Sequence, residues 1–284
     1  MIELRAGALR CELVPELGGA VAGLWLGDAP VLRSTPGSAM SSARSAGCHP
    51  MVPFSNRIGQ AAVVWEGTQQ PQVRHRGDAP EAIHGLGWQR PWAVLDQDEC
   101  SAMLAYEHRA DASWPFAFDC SHALRLQGSG LEMTLALTNQ SGQPAPVGLG
   151  WRTLFALRPG SHLRLRAGGR WEFDADRHPA VRRPDAGADG DAAAISGATC
   201  FDGWDGAAEL RDAQLRVRVQ SGLSRLLVFT DAARDTIAIE PVSHVPNAVH
   251  RYASGAPAAD LGLTLLQPGE SLIAQMRIEA EAVR

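Results

Sequence analysis

From end to end this sequence breaks into short runs in which apolar residues alternate with others. Gly, Pro, Asn or Asp close the runs, and stretches of 3.6-residue periodicity are few. A strand buries one face with a repeat of two and a helix with a repeat between three and four, so the patterning points to an all-β fold. ALRL and LEMTLAL, within residues 124–137 and just before, read as strands joined by Gln127, Gly128, Ser129 and Gly130, a hairpin link. ADLGLTLL and SLIAQMRIEAEA, on either side of Gln267-Pro268-Gly269-Glu270, predict a second hairpin. The Asp-, Ala-, Gly- and Pro-rich stretch from Arg182 to Gly197 predicts a long solvated loop. No internal repeat or coiled-coil register is present, and 284 residues suit one large β domain spanning 1–284.

Composition narrows the function. All 26 basic residues are arginine, because the chain has no lysine. Schiff-base aldolases, pyridoxal-phosphate enzymes and Walker-type phosphate loops all need a lysine amine and are excluded. A net charge of −5 and arginines spread along the chain give no footprint for nucleic acid. Cys11, Cys48, Cys100, Cys120 and Cys200 form no CxxC pair, so neither a metal site nor a disulfide scaffold is expected, and buried thiols are. There is no basic leader followed by an apolar core and no apolar run of 18, so the expected location is the cytoplasm, without a membrane partner.

Three segments combine polar groups with glycine or tryptophan. In HPMVPFSNRIG, residues 49–59, Asn56 offers amide donors and an acceptor, and Arg57 a planar fork of donors. The same pair also suits a plain turn. In EAIHGLGWQRPW, residues 81–92, His84 precedes Gly85 and Gly87, which permit close backbone approach, and Trp88 and Trp92, whose faces suit a sugar C–H face. In DTIAIEPVSHVPNAVH, residues 235–250, alternation sets Ile237 and Ile239 on one face of a strand and Ala238 and Glu240 on the other, with Pro241 expected to end the strand. Glu240 is then either a carboxylate aimed into a cavity or an outward side chain on a half-exposed strand.

In this order, ELVPELGGAVAGLWLGD, VPFSNRIG, IHGLGWQRPW, PVGLGWRTLF, CFDGWDG and IEPVSHVPNA resemble the aldose 1-epimerase family over essentially the whole chain. The resemblance implies a large antiparallel β-sandwich of the galactose mutarotase type, with a sugar cleft on one sheet and no metal or organic cofactor. It implies Glu240 as general base, His84 beside the sugar ring oxygen, and Asn56 and Arg57 as substrate-binding residues. The implied reaction interconverts the α and β anomers of a free aldose by acid–base opening of the hemiacetal.

The sequence departs from the family pattern where the catalytic histidine normally follows Trp151. Arg152 stands there, a fixed positive charge and a poor proton donor. The family's aspartate before Cys200-Phe201 corresponds to Ala198, with Asp202 and Asp205 nearby. Three outcomes follow: epimerisation with His84 or His244 donating the proton, an acidic or phosphorylated sugar read by Arg152, or sugar binding without turnover. A two-carboxylate glycosidase, pairing Glu240 with Asp202, Asp205 or Asp235, is a reading from another class. Arg152, Trp204 and Asp205 are taken as further sugar contacts, whereas Trp151 fits a sugar platform or the core equally. His49, His75, His108 and His178 are read as surface or structural groups outside any metal-ligand pattern. The expected partner is a small-molecule sugar, and the chain a monomer or homodimer.

Overall fold

In the computed structural model, which describes residues 1–59, 62–65, 68–71, 82–175, 178–195, 197–231 and 235–283, two large antiparallel sheets pack face to face. In spatial order the larger sheet runs Ile2–Ala6, Leu9–Val14, Ala20–Leu26, Cys48–Met51, Gly150–Ala156, Thr236–Val242, Arg225–Asp231, Ala198–Asp202, Gly169–Phe173 and Pro179–Arg183. The second runs Ala93–Gln97, Ser101–His108, Phe118–Gln127, Gly130–Asn139, Ser271–Ala282, Leu215–Ser221, Ala207–Arg211, His162–Arg166 and Gly187–Asp191. One hydrophobic cluster draws on both, with Trp114, Trp151, Phe116, Phe118 and Phe155 among its fully buried members. Each such side chain contributes roughly 1.5–3 kcal/mol on leaving water. The all-β class expected from the alternation and the antiparallel sandwich implied by the resemblance are therefore both observed.

The strands of the second sheet keep the alternation that the sequence shows. Phe118–Gln127 and Gly130–Asn139 pair from Phe118–Asn139 to Gln127–Gly130, closed by Gly128 and Ser129 with Gly128 at φ +60. That is the hairpin predicted over residues 124–137. The C-terminal hairpin is a correction. Ser271–Ala282 lies between Gly130–Asn139 and Leu215–Ser221, while Thr264–Leu266 pairs with Ala145–Val147 and residues 258–261 form a helical turn. The turn at Gln267 to Glu270 is real, but it joins strands that do not pair with each other.

Two further expectations are corrected. The stretch from Arg182 to Gly197 is not a long loop. It supplies part of Pro179–Arg183, the edge of the larger sheet, then Gly187–Asp191, the edge of the second. An edge strand pairs on one side only, so Gly, Ala and Asp are tolerated there. Pro241 does not end its strand either, since Thr236–Val242 continues through it and Leu226 pairs with Pro241. Its missing N–H falls in a gap in the ladder toward Gly150–Ala156, where pairs form at Gly150–Val242 and Leu154–Ala238 but not between.

Candidate functional site

The central strands of the larger sheet sort their side chains between two faces. In Gly150–Ala156, Trp151 points at the second sheet, where its indole Nε1 donates to His122 Nε2 at 3.1 Å. By strand alternation Arg152 points the other way. Arg152 pairs across the ladder with His49. The register that sets Gly150 opposite Val242 and Leu154 opposite Ala238 brings position 152 across from 240. The result is a row of His49, Arg152 and Glu240 on three adjacent strands, continued by Leu227 and Cys200.

At the centre of the row, Arg152 Nη1 donates to Glu240 Oε1 at 2.5 Å. The Glu240 side chain is 4% exposed and that of Arg152 30%, so the pair is open only on its guanidinium side. Burial pushes the Glu240 carboxyl above its ordinary range; the charge and hydrogen bond of Arg152, and the charge of Arg57, oppose that shift without cancelling it. A carboxylate so placed can hold or release a proton nearer neutrality than a surface glutamate can.

Two loops cover this face and are stitched to each other through the backbone. His84 N–H donates to Asn56 O at 2.7 Å, and Arg57–Ile58 pairs with Ala82–Ile83. Asn56 (φ 53) and His84 (φ 62) both adopt the left-handed conformation. Leu86 N–H and Gly87 N–H both donate to Val52 O, at 2.7 and 3.1 Å. Gly85 sits so close to that strand that a Cβ would lie 2.0 Å from Val52 O, so the close approach its sequence promised is to protein backbone. Asn247, at φ 58, accepts from Gly59 N–H through Oδ1 at 3.0 Å and donates its own N–H to Arg57 O at 2.8 Å, tying in the segment after Glu240.

His49, read from sequence as a surface or structural group, is buried inside this assembly. Its ring stacks on Trp88 at 5.5 Å and meets His84 edge-on at 5.7 Å. Burial, with the charge of Arg152 adding to it, lowers its pKa to about 3, so the imidazole is neutral. Position 49 offered no signal, because the face it takes depends on which strand lies alongside.

Trp88, Trp92 and Trp151 divide as follows. Trp88 Nε1 donates to Ile83 O and its face carries His49. Trp92 packs in the core against Tyr106 and His122, its Nε1 on Gly87 O at 2.9 Å, so it supplies no sugar platform. Trp151 is likewise fully buried.

His244 is buried with both ring nitrogens committed to backbone: Ser55 N–H donates to Nε2 at 3.1 Å, and Nδ1 lies 2.7 Å from Val245 O. Burial lowers its pKa to about 4. A neutral imidazole with both nitrogens occupied is no proton donor to a sugar, which corrects that part of the sequence reading. His108, buried with Nε2 on Trp114 O, is structural, and His75 lies outside the described residues.

Trp204 and Asp205 are not brought to the Glu240 row. Trp204 is buried, with Nε1 donating to Ala207 O at 2.9 Å. Asp205 is exposed, accepts from Ala207 N–H, and borders a hollow on the second sheet with Arg164, Arg166 and Arg218. Asp202 is engaged by Arg182 and lies 3.2 Å from Arg225, and Asp235 sits in an exposed turn at φ 50. None of these carboxylates bonds to Glu240 or Arg152 among the described residues, and Asp202 is itself held by arginines. Among the described residues, no group of three or more His, Cys, Asp or Glu could hold a metal ion, and no helix is long and apolar enough to cross a membrane.

Two antiparallel sheets packed face to face, with a buried carboxylate–guanidinium pair on one sheet and two loops laid over it, define a galactose mutarotase-like β-sandwich. The chain belongs to the aldose 1-epimerase family, whose profile matches residues 1–279. It is 29% identical over 307 residues to the uncharacterized protein YphB of Escherichia coli K12, covering 98% of each chain. A crystal structure of a putative aldose 1-epimerase from E. coli K12 superposes with a TM-score of 0.85 at 27% identity, covering 99% of this chain and 98% of that one. A galactose mutarotase-like protein from Clostridium acetobutylicum has the same fold, with a TM-score of 0.84 at 17% identity over 99% and 95% of the two chains.

Proposed function

We propose that this protein is an aldose 1-epimerase-like isomerase, with Glu240 as the base at the anomeric hydroxyl and His84 as the proton donor to the ring oxygen. The reading rests on Glu240: a buried carboxylate held at a raised pKa, bonded to a partly open Arg152 and within the field of Arg57. The proton on the O1 hydroxyl passes to Glu240, the C1–O5 bond breaks, and O5 takes a proton from His84. Rotation about C1–C2 and reclosure with the transfers reversed give the other anomer. Acid and base each contribute on the order of 10²–10⁴-fold. His84 takes the acid role on its loop held against Asn56, since both ring nitrogens of His244 are occupied by backbone, and Arg152 steadies the carboxylate and offsets developing charge. Asn56 and Arg57 contact sugar hydroxyls, and the chemistry as written needs no cofactor. Five cysteines without a disulfide suit a reducing cytoplasm.

The partial exposure of the Arg152 side chain favours a second reading. A guanidinium that reaches the open side of the pair can also engage the carboxylate or phosphate of a modified sugar, with or without turnover. Polarimetry with freshly dissolved α-D-glucose and α-D-galactose tests the first reading. The wild type is expected to exceed the spontaneous rate and Glu240→Gln to fall to it. Calorimetric sugar binding with no acceleration in the wild type would leave a binding protein. If Arg152→Ala weakens a uronate or sugar phosphate far more than the neutral sugar, the second reading holds.

A further inference from the structure

The outer face of the second sheet carries an apolar patch bounded by charge of opposite sign. Antiparallel pairing aligns four rows of outward side chains across its strands. Ala93, Ala105, Ser121, Ala136 and Ile273 form one row. Asp96, Met103, Ala123, Thr134 and Gln275 form the next. On one side of this pair lies the row of Glu107, Asp119, Thr138 and Ser271, and on the other that of Ser101, Arg125, Glu132 and Arg277. The two middle rows hold a single charge, Asp96, at the sheet edge.

This corner is where the molecule leaves apolar surface uncovered. Among the described residues seven large apolar side chains are well exposed; Met103 at 37% and Ile273 at 61% stand in the two middle rows, and Val94 at 44% and Leu95 at 64% lie on the bulged edge strand beside them. Clustering of this kind marks an interaction surface, whereas single exposed apolar residues do not. Pairing through the edge strand itself is disfavoured, since the register of Ala93–Gln97 shifts between Val94 and Asp96, a bulge of the type that blunts sheet edges.

Part of the bounding charge has no ion pair within one chain among the described residues, although Asp119 accepts from Gln140 Nε2 at 2.6 Å. Glu107 and Asp119 stand directly opposite each other, a like-charge cross-strand pair. At the other end Arg125 is exposed and forms no ion pair among the described residues, because Glu132 across from it is engaged by Arg277. Asp119 and Arg125 lie on the same strand, six residues or about 20 Å apart.

We propose that two copies of this chain associate through this face, about a two-fold axis that lies in the interface and runs along the rows. Rotation about that axis reverses the strand direction. Each Phe118–Gln127 strand then lies over its counterpart, the apolar rows meet, and Arg125 of each copy reaches Asp119 and Glu107 of the other. Five strands at about 4.8 Å and four rows at about 6.6 Å give roughly 600 Å² per copy. The total of about 1,200 Å² is at the lower limit of specific interfaces and fits a dimer of micromolar strength. The closed two-fold arrangement also accounts for both charge clusters with one contact made twice.

Sedimentation equilibrium from 1 to 200 µM tests this on the full chain. The wild type is expected to show a monomer–dimer equilibrium, and Arg125→Asp and Asp119→Arg each to raise the dissociation constant at least tenfold. The double exchange, which rebuilds the contact with reversed polarity, is expected to recover to within about threefold of wild type. Ile273→Glu should give a monomer, with circular dichroism and the melting temperature showing that it still folds. A wild type monomeric at 200 µM overturns the proposal, as does a double exchange no stronger than the singles. Neither result bears on sugar turnover.

Discussion

Arg152 Nη1 donates to Glu240 Oε1 at 2.5 Å across two neighbouring strands, so the buried carboxylate is matched with a cation before any sugar arrives. Removing the cation has a defined sign. Arg152 is among the groups that hold the Glu240 pKa down against burial. Arg152→Ala is therefore expected to raise that pKa further and move the ascending limb of the kcat/KM profile to higher pH. Stability should fall by about 1–3 kcal/mol, as one partner of a hydrogen-bonded buried pair is lost. An unmoved limb would mean that Glu240 is not the titrating base.

His84→Asn separates chemistry from backbone. Position 84 has φ 62, and asparagine tolerates that conformation better than most residues. The bond from residue 84 N–H to Asn56 O can persist. The expected outcome is a loss of about 10²–10⁴-fold in kcat with little change in melting temperature. His244→Asn should do the reverse, lowering stability by stripping Ser55 N–H and Val245 O of their partner. Equal effects of the two variants on kcat would contradict the assignment of the acid.

Acid should destabilise this protein earlier than its carboxylates alone would. Burial holds His49 and His122 at a pKa of about 3 and His244 at about 4. The unfolded chain titrates them near 6.5. Between those values the unfolded state binds protons that the folded state refuses, so stability falls as pH falls. Each histidine contributes about 1.4 kcal/mol per pH unit, on the order of 4 kcal/mol for the three by pH 5.5. Glu240 acts with the opposite sign, because its raised folded pKa keeps a proton that the unfolded chain has released, but it is one group against three. Urea titrations at pH 7.5 and 5.5 should show the drop, and His122→Phe should flatten it by about a third. Equal midpoints at both pH values would show that burial does not hold these imidazoles below their ordinary pKa.

What the sequence revealed of this protein was its local pattern. The alternation in Phe118–Gln127 and Gly130–Asn139 and the glycine between them locate a hairpin, because everything needed lies within 22 residues. Thr264–Leu266 has an equally good pattern, yet its partner, Ala145–Val147, is more than a hundred residues away. The site divides along the same line. Glu240 and Arg152 stand out through their flanking segments, whereas His49 enters only because Cys48–Met51 pairs with Gly150–Ala156. Asp205 misled for the converse reason: it is close to Asp202 in sequence, but the turn at Gly203 and Gly206 carries it to the second sheet.

The loops over Glu240 depend on one backbone contact, and Gly85→Ala tests whether it positions the site. A Cβ at Gly85 would lie 2.0 Å from Val52 O, which also accepts from Leu86 and Gly87, and the residue has φ +70. Neither backbone can yield without breaking the stitch that places His84 against Asn56. The expected cost is about 3 kcal/mol or more. Gly128→Ala is the control, since it shares the left-handed conformation at φ +60 but has nothing within 4 Å of the added carbon. Its cost should be the conformational one alone, about 1–2 kcal/mol. If the two variants lose the same stability, strain explains both and the Val52 contact is not what holds the loops. If Gly85→Ala loses more, and sugar turnover falls while Gly128→Ala keeps it, the placement of the loop that carries His84 depends on that contact.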